Sequence, residues 1–435
     1  MRLCTVIAVC ATVLGVPQAA TAAPAPDCYD RTAAVTYEES RIETPALPGG
    51  SRVPYALVEA GGFDPYVARL KRDLCRARSL PAAKRLLQRH GARLWETAVA
   101  RAQGRVRMGT IDRYDDRPLY WSRLMGTRDI RQWVPRFPLG EEDRAGLLRV
   151  YEYASRGVAS TRFGRGAARV LVSGFDPYQL NGEIRRSNPS GAAALQLDGL
   201  TYRDGGHTVR VQAVALPVTW SGFDAGIVED AFGPHLTALA RERADLIMTI
   251  SQGNRGVMNI EQWAGAWRGG SADNNNEGEA ELVPPAPRWP QPSPTPEFIE
   301  TTLPYQAMVD AGTGPWPTAL NPRLCEWPAG TRPAGPVQCR TDGPSPGGQA
   351  QSGGGGNYLS NESMYRSNRL RLALGAADVP GGHLHISALV YPADPLVVID
   401  DAFAADRAAT VDQTVALVQA AEKAAPRIRG AAFAR

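Results

Sequence analysis

The chain has 435 residues, of which 43% are hydrophobic and 21% are charged. This composition is typical of a globular protein, and the length allows two domains. The 48 Lys and Arg residues nearly balance the 44 Asp and Glu residues, for a formal charge of +4. Because this charge is small and no run of Lys or Arg occurs, the sequence predicts no nucleic-acid partner.

The first residues predict an export signal. A positive residue precedes the apolar run Leu3–Val16, and the small residues Ala20 and Ala22 lie where a signal peptidase reads the chain. We therefore expect residues 1–22 to be removed before Ala23 and the mature chain to be secreted, either extracellular or periplasmic. The run is too short to cross a bilayer as a helix, so no membrane insertion is expected.

Four cysteines remain after removal of that segment: Cys28, Cys75, Cys325 and Cys339. An even number of cysteines in an exported chain predicts disulfides, and four cysteines allow three pairings. We favour Cys325–Cys339, which closes a short Pro/Gly-rich loop, and Cys28–Cys75, which ties down the mature N-terminus. Buried free thiols are the alternative.

Residues 23–160 predict a mainly helical N-terminal region. Leu80–Gln103 and Glu141–Arg156 carry apolar residues at helical spacing, and no strand alternation of comparable strength occurs in this part of the sequence. The region contains no recognisable catalytic constellation. We expect His90 to be a surface or capping residue rather than a ligand.

From about residue 167 to 425 the pattern changes, because short apolar runs that predict buried strands alternate with helical periodicity. Such alternation predicts an α/β layered domain. Residues 312–350, which are rich in Gly, Pro and Ser, predict an insertion stapled by the Cys325–Cys339 bridge. The predicted strands are 169–173, 208–216, 244–250 and 383–391, and the predicted helices are 189–197, 227–243, 361–374 and 411–424.

Polar residues at strand ends and helix starts mark candidate sites, because active sites of α/β folds gather there. A glycine-rich loop, 353–356, leads directly into a predicted helix with Ser360 near its start. A nucleophile in this position lies in the positive field of the helix N-terminus, where backbone N–H groups can stabilise an oxyanion. The alternative is that Ser360 is a helix N-cap.

Two histidines and a glutamate complete the candidate chemistry. His383 and His385 lie on one predicted strand, and we expect them to face opposite sides, so that only one enters a given site. A metal pair is disfavoured because Asp and Glu are sparse around them and no HExxH motif exists, so neither a metal nor a cofactor is expected. Glu261 follows another strand; alone it predicts a solvated side chain, but with a Ser and a His it fits the pattern of nucleophile, base and orienting group.

These stretches, in this order, resemble the motifs of the pyroglutamyl peptidase I family, also called pyrrolidone-carboxylate peptidase. The similarity covers about residues 167–425 and lies in the order of several motifs rather than in any single one. The nucleophile motif matches Gly356–Asn361 at every position that the family fixes, except that Ser360 stands where the family has its cysteine. The other matching stretches are Gly174–Tyr178 with Asn188–Ser190 for the opening motif, Glu261 with Ala264 for the glutamate motif, and Gly382–His385 for the histidine motif, which selects His385.

The resemblance implies a three-layer α/β/α sandwich, preceded here by the helical region, and removal of N-terminal pyroglutamyl residues from peptides. The predicted function is a secreted hydrolase of that kind, or one that cleaves a related amide, acting on a peptide or small amide substrate. The alternative is a non-catalytic secreted protein that kept the pocket and binds a peptide or small ligand. The residues that the resemblance assigns are Ser360, His385 and Glu261 for catalysis, and Phe175, Tyr178 and Asn188 for substrate binding.

Several positions depart from the family pattern. Gln262 stands in place of its Arg and Ala266 in place of its Asn, and both losses favour the binding protein. The most serious departure is Ser360, because a thiol is several pKa units more acidic than an alcohol. A serine must lose its proton to the base as it attacks, so the site needs closer Ser–His geometry than a cysteine does.

Overall fold

The structure is a computed structural model, and the signal expected at residues 1–22 lies outside the residues that it describes. Within the described ranges, no helix has the length and apolar character needed to span a membrane. Both favoured disulfides, Cys28–Cys75 and Cys325–Cys339, are present, which confirms the predicted pairing. The described residues are 28–45, 47, 50, 52–164, 167–237 and 242–426.

The N-terminal region is helical, as predicted. Its longest helix begins after Ser79, whose hydroxyl accepts from the Ala82 N–H at 3.4 Å, and it buries apolar residues such as Leu87 and Trp95 on one face. A second helix, Arg117–Gln132, is buried on most of its surface by the others. The helices of this region are α1 (Tyr37–Ser40), α2 (Val53–Ala60), α3 (Asp64–Arg76), α4 (Leu80–Ala102), α5 (Arg117–Gln132) and α6 (Glu141–Ser155).

The remainder of the described chain forms an α/β domain around a seven-stranded sheet. The strands of the described chain are β1 (Ala167–Phe175), β2 (Thr201–Asp204), β3 (His207–Leu216), β4 (Leu246–Gln252), β5 (Met258–Glu261), β6 (Trp263–Gly265), β7 (Trp267–Arg268), β8 (Glu281–Leu282), β9 (Phe298–Glu300), β10 (Thr318–Asn321), β11 (Leu324–Trp327), β12 (Gln338–Arg340), β13 (Gln349–Ser352) and β14 (Gly381–Ile386). The strand order of the main sheet is β10-β5-β14-β4-β1-β3-β2, with parallel pairs except where β14 meets β5 and where β2 meets β3.

Helices cover both faces of this sheet, which gives the predicted three layers. The helices of the domain are α7 (Pro189–Leu197), α8 (Trp220–Asp224), α9 (Ile227–Phe232), α10 (Tyr305–Asp310), α11 (Leu359–Ala373) and α12 (Asp401–Ala424). Alternate strand residues point to opposite faces, so Val170 and Val172 pack with α7 and α12 whereas Leu171 packs with α8, α9 and α11. The buried strands are therefore apolar along their whole length rather than alternating.

Two predicted elements were too long. The helix predicted at 227–243 ends at Phe232 and continues only as a short 3-10 turn, Gly233–His235, because the proline at position 234 has no N–H with which to continue the helical hydrogen bonds. The strand predicted at 383–391 ends at Ile386. The final helix, by contrast, begins ten residues earlier than the predicted 411, where the Asp400 side chain caps its first turn.

The predicted insertion, 312–350, carries regular structure of its own. Its first strand, β10, joins the edge of the main sheet in parallel with β5. The other strands, β11, β12 and β13, form a separate antiparallel sheet, in which Cys325 and Cys339 are directly paired across two strands. Strands of three or four residues are too short to stand out among the prolines and glycines of this segment.

Candidate active site

A histidine and a glutamate from neighbouring strands form the centre of the candidate site. His385 lies on β14 and Glu261 ends β5, which runs antiparallel to β14. The Nδ1 atom of His385 lies 2.7 Å from Oε1 of Glu261, and the two residues are 8% and 2% exposed. Because a carboxylate only accepts, the imidazole donates through Nδ1–H and keeps Nε2 free to take a proton.

The second oxygen of that carboxylate is held by the insertion. The side-chain amide of Asn321, at the end of β10, donates to Oε2 of Glu261 at 2.7 Å and to the Gly354 carbonyl at 3.0 Å. Asn321 and Glu261 are directly paired across the two parallel strands. Sequence analysis missed Asn321, since one asparagine within a Gly/Pro-rich segment carries no local signal of its role.

The glycine-rich loop packs against the histidine and glutamate, which explains its composition. Gly353 and Gly356 exchange backbone hydrogen bonds of 2.9 and 3.1 Å, which closes a tight turn. A Cβ atom on Gly355 would lie 2.6 Å from Cε1 of His385, and one on Gly354 would overlap Oε2 of Glu261. Only glycine allows the backbone to approach the two side chains this closely.

Ser360 lies in the first turn of α11, but it does not cap that helix. The N-cap residue is Tyr358, which makes no side-chain cap hydrogen bond, so the alternative role considered for Ser360 does not hold. Its hydroxyl donates to the Gly355 carbonyl at 3.3 Å, and among the described contacts no hydrogen bond joins it to His385. The N–H groups of a first helical turn have no partner within the helix, and two residues of this turn, Leu359 and Ser360, line the same cavity as His385.

A single cavity of about 350 Å³ brings the sequence-selected residues together. Its wall includes strand ends, the glycine-rich loop and the start of α11, so residues far apart in the chain meet at one edge of the sheet. No group of three or more His, Cys, Asp or Glu side chains within the described part of the chain is placed to hold a metal ion. The six residues assigned by the resemblance all line the cavity: Phe175, Tyr178, Asn188, Glu261, Ser360 and His385.

The aromatic side of the cavity is formed by the last residue of β1 and the loop that follows it. The Phe175 ring is almost fully buried and stacks on Phe223 at 6.1 Å between centroids. The hydroxyl of Tyr178 accepts from the side-chain amide of Gln252 at 3.2 Å. Both rings are therefore held in place by neighbouring residues and present rigid surfaces to a ligand in the cavity.

Asn188 lines the cavity, but its side chain is engaged by the protein. Its Oδ1 atom accepts from the Ser190 N–H at 3.1 Å and so caps α7, and its amide nitrogen donates to the Asp176 carbonyl at 2.8 Å. The first of these bonds caps α7, and the second joins the start of α7 to the loop after β1. The contacts of Asn188 thus fit a residue that shapes the cavity wall.

His383 and His385 lie on the same side of β14, so the expectation of opposite faces was wrong. Residues two apart in a strand share a face, and the two rings meet edge to face at 4.6 Å. Burial, and then the proximity of His385, lower the pKa of His383 well below its ordinary value. His383 is buried and both of its ring nitrogens lie within hydrogen-bond distance of protein hydroxyls, which fits a structural role.

A second serine in the cavity contacts that structural histidine. Oγ of Ser251 lies 2.8 Å from Nε2 of His383, whose Nδ1 lies 2.7 Å from Oγ1 of Thr249. Ser251 also lines the cavity. Sequence analysis missed this cluster; the signal that could have revealed it is the Thr-x-Ser pattern of β4 beside the His-x-His pattern of β14.

The helical N-terminal region supports the loop that carries Tyr178. The Asp176 carboxylate is bound by Arg123, from α5, and by Arg156, just after α6, and all three side chains are buried. The second of these bonds measures 2.6 Å. Buried ion pairs of this kind fix geometry because leaving one partner unpaired is costly.

A buried glutamate of the same region is linked to this loop through Asn274. Oε1 of Glu38 accepts from the Tyr120 hydroxyl and from the Asn274 amide, each at 2.8 Å, and Asn274 also donates to the Pro177 carbonyl. Burial, and then the charge of Asp176, raise the pKa of Glu38 to about 7. Sequence analysis assigned no role to this region, and these contacts give it one as a support of the cavity.

Comparison with known proteins places the chain in a family. The N-terminal and C-terminal domains described for PA0049 match residues 19–152 and residues 169–292 with 316–390, respectively. A Pseudomonas aeruginosa protein named "Uncharacterized protein PA0049" is 32% identical over 90% of this chain and 89% of its own length. The chain belongs to the PA0049 family. The domain match spans both the helical region and the α/β domain of this PA0049 family member.

Two solved peptidase structures are similar to this PA0049 family member over part of its chain. A mutant pyrrolidone carboxyl peptidase from Pyrococcus furiosus is similar at 18% identity and a TM-score of 0.40, over 59% of this chain and 100% of that one. A pyroglutamyl peptidase I from Bacillus amyloliquefaciens is similar at 19% identity and a TM-score of 0.38, over 59% of this chain and 97% of that one.

Proposed function

We propose that this protein is a hydrolase that removes N-terminal pyroglutamyl residues or cleaves a closely related amide. The observation that carries the proposal is the buried Glu261–His385 hydrogen bond, in a cavity that also holds Ser360 at a helix start. The ordered motifs of the sequence supply the same three residues. Two disulfides, which persist in oxidising compartments, support action outside the cytoplasm after export.

In this proposal each of the three residues has one chemical role. Nε2 of His385 accepts the Ser360 proton as the hydroxyl attacks the substrate carbonyl, and it donates that proton to the leaving amine as the C–N bond breaks. A water molecule, deprotonated by the same Nε2, then attacks the Ser360 ester, which releases the acid product and restores the hydroxyl. Glu261 keeps Nδ1 protonated and stabilises the positive charge that the imidazole gains. The first-turn N–H groups of α11 bind the oxygen that becomes negative in the tetrahedral intermediate.

The proposal requires the Ser360 hydroxyl to leave the Gly355 carbonyl. The bond between them is long, at 3.3 Å, and a serine side chain has three staggered positions about its Cα–Cβ bond. Hydrogen bonds of catalytic groups are often loose without substrate and tighten when it binds. We expect the substrate carbonyl to bring Ser360 and His385 together.

The charge of the cavity favours an uncharged substrate end. Glu261 is the one carboxylate among its described lining residues, and that carboxylate is already bound to His385. A free α-ammonium group would therefore enter without a counter-charge, which is costly in a buried site. A pyroglutamyl lactam carries no such charge and can pack against the Phe175 and Tyr178 rings that line the cavity.

A second candidate function is a binding protein that does not catalyse. The specific observation in its favour is that the Ser360 hydroxyl bonds to Gly355 rather than to His385. Such a protein would hold the same uncharged ligands in the same cavity and release them unchanged.

A matched pair of substrates tests the proposed function. The secreted chain is incubated with a fluorogenic pyroglutamyl amide and with the glutaminyl amide of the same leaving group, which differs by its open chain and free ammonium. We expect hydrolysis of the pyroglutamyl amide and little hydrolysis of the glutaminyl amide. Absence of hydrolysis together with saturable binding of the pyroglutamyl amide would replace the hydrolase with the binding protein.

A further inference from the structure

The insertion supplies a side chain to the candidate catalytic pair, although its sequence predicts only a stapled loop. Glu261 has two carboxylate oxygens, and each has one hydrogen-bond partner at the same distance. Oε1 binds His385 at 2.7 Å and Oε2 binds the Asn321 amide at 2.7 Å. The carboxylate is thus held at both ends, one by the main sheet and one by the insertion.

Glu261 needs this second partner because it is buried. An unpaired oxygen in a buried carboxylate bears the full cost of lost hydration. The terminal torsion of a glutamate is also broad, so a carboxylate bound through one oxygen can rotate and misalign the imidazole that it holds. The Asn321 amide removes both problems at once.

Asn321 is itself firmly placed. Its backbone carbonyl accepts from the Gln262 N–H at 3.0 Å, within the pairing of β10 with β5. Its Oδ1 atom accepts from the Arg323 N–H at 3.3 Å, which fixes the amide so that the nitrogen faces Glu261. The disulfide-linked sheet of β11, β12 and β13 follows within three residues.

The same asparagine also contacts the loop that leads to Ser360. Its amide nitrogen donates to the Gly354 carbonyl at 3.0 Å, and β13 of the insertion runs directly into this loop. Through the Asn321 side chain, the insertion therefore contacts both the Glu261 carboxylate and the glycine-rich loop that precedes Ser360. Among the described residues, no other side chain donates hydrogen bonds both to Glu261 and to this loop.

We propose that Asn321 is a positioning residue of the candidate active site and that the insertion is part of the catalytic machinery. Its effect on catalysis rests on the proposed hydrolase function. Its effect on the geometry of Glu261 and His385 does not, because that geometry exists whether or not the protein turns over a substrate.

The experiment reads that geometry directly by proton NMR in water. An imidazole Nδ1–H bound to a buried carboxylate gives a downfield signal that is protected from exchange, and His385→Ala assigns it by its loss. We expect Asn321→Leu, which keeps the size of the side chain and removes the donor, to abolish or broaden this signal. Gln338→Leu, at an exposed position on β12 of the same insertion, is the control and should leave it intact.

A second variant keeps the test decisive if Asn321→Leu does not fold. Asn321→Asp preserves shape but places a second carboxylate beside Glu261, and two adjacent carboxylates share a proton as the pH falls. We expect the downfield signal to be lost at high pH and recovered at low pH. A variant that merely misfolds would not recover it.

Activity gives the second arm of the experiment. If the enzyme is active, Asn321→Leu should lower kcat by about 10- to 100-fold, the effect typical of removing a partner that orients a functional group, with KM within about twofold. If the wild-type protein shows the NMR signal but no activity, and Asn321→Leu loses the signal, the positioning role stands and the hydrolase is refuted. An unchanged NMR signal in Asn321→Leu would overturn the positioning role, whatever the activity.

Discussion

The glutamate buried between the helical region and the candidate site should make stability depend on pH. In Glu38→Gln the carboxyl is replaced by an amide that is neutral at every pH. The amide oxygen can still accept from the Tyr120 hydroxyl and the Asn274 amide, each now 2.8 Å from Glu38. The substitution therefore removes a titration while keeping the contacts.

The magnitude follows from the pKa of Glu38. Burial, and then the Asp176 charge, raise this pKa from 4.5 to about 7 in the folded chain. At about 1.36 kcal/mol per pKa unit the difference corresponds to about 3 kcal/mol. Because the folded chain binds the proton more tightly, this stabilisation is complete below pH 4.5 and is lost as the pH rises through 7.

Thermal or denaturant unfolding at pH 4, 6 and 8.5 measures the effect. We expect Glu38→Gln to be more stable than the wild type by up to about 3 kcal/mol at pH 8.5 and to gain nothing at pH 4. Glu59→Gln, the same exchange at an exposed position of α2, is the control and should stay within about 0.5 kcal/mol at each pH. A gain that does not change with pH, or a loss at pH 8.5, would refute the reasoning.

Two further predictions concern the loop and the insertion. Gly355→Ala places a Cβ atom 2.6 Å from His385 Cε1, so we expect at least a tenfold loss of hydrolysis and loss of the downfield His385 proton signal. An alanine variant that keeps both the activity and the proton signal would contradict the packing of the loop against His385. The double variant Cys325→Ser, Cys339→Ser opens a loop of 14 residues. We expect it to destabilise the insertion by about 3 kcal/mol and to lower the activity as a result. Full activity and an unchanged midpoint of unfolding would show that the disulfide is dispensable.

The sequence predicted the parts of the site that depend on local pattern. Buried strands such as β1 and β4 are recognisable in the sequence as apolar runs. Polar residues just beyond such runs indicate the edge of a parallel sheet where active sites gather. Ser360 was found in this way, because a glycine-rich loop followed by helical periodicity is visible in one short window. Its bond to Gly355 was not, since a hydroxyl rotamer depends on neighbours that only the fold supplies.

The parts that were missed depend on pairing between distant segments. Asn321 acquires its role only because β10 adds to the sheet in register with β5. That pairing cannot be predicted from the local sequence, because a strand of four residues among prolines and glycines has no recognisable pattern. Ser251 gains its partner in the same way, through the pairing of β4 with β14. The expectation of opposite faces for the two histidines failed for a different reason, since the period of a strand is two residues.

The identity of the nucleophile is the central claim, and one set of variants tests it. Wild type, Ser360→Ala, Ser251→Ala and Ser360→Cys are compared on the pyroglutamyl amide, with circular dichroism to confirm folding. We predict that the wild type hydrolyses it and that Ser360→Ala loses activity by about a thousandfold or more. Ser360→Cys should hydrolyse it in a manner sensitive to thiol alkylation. Activity that survives in Ser360→Ala and disappears in Ser251→Ala would contradict the account.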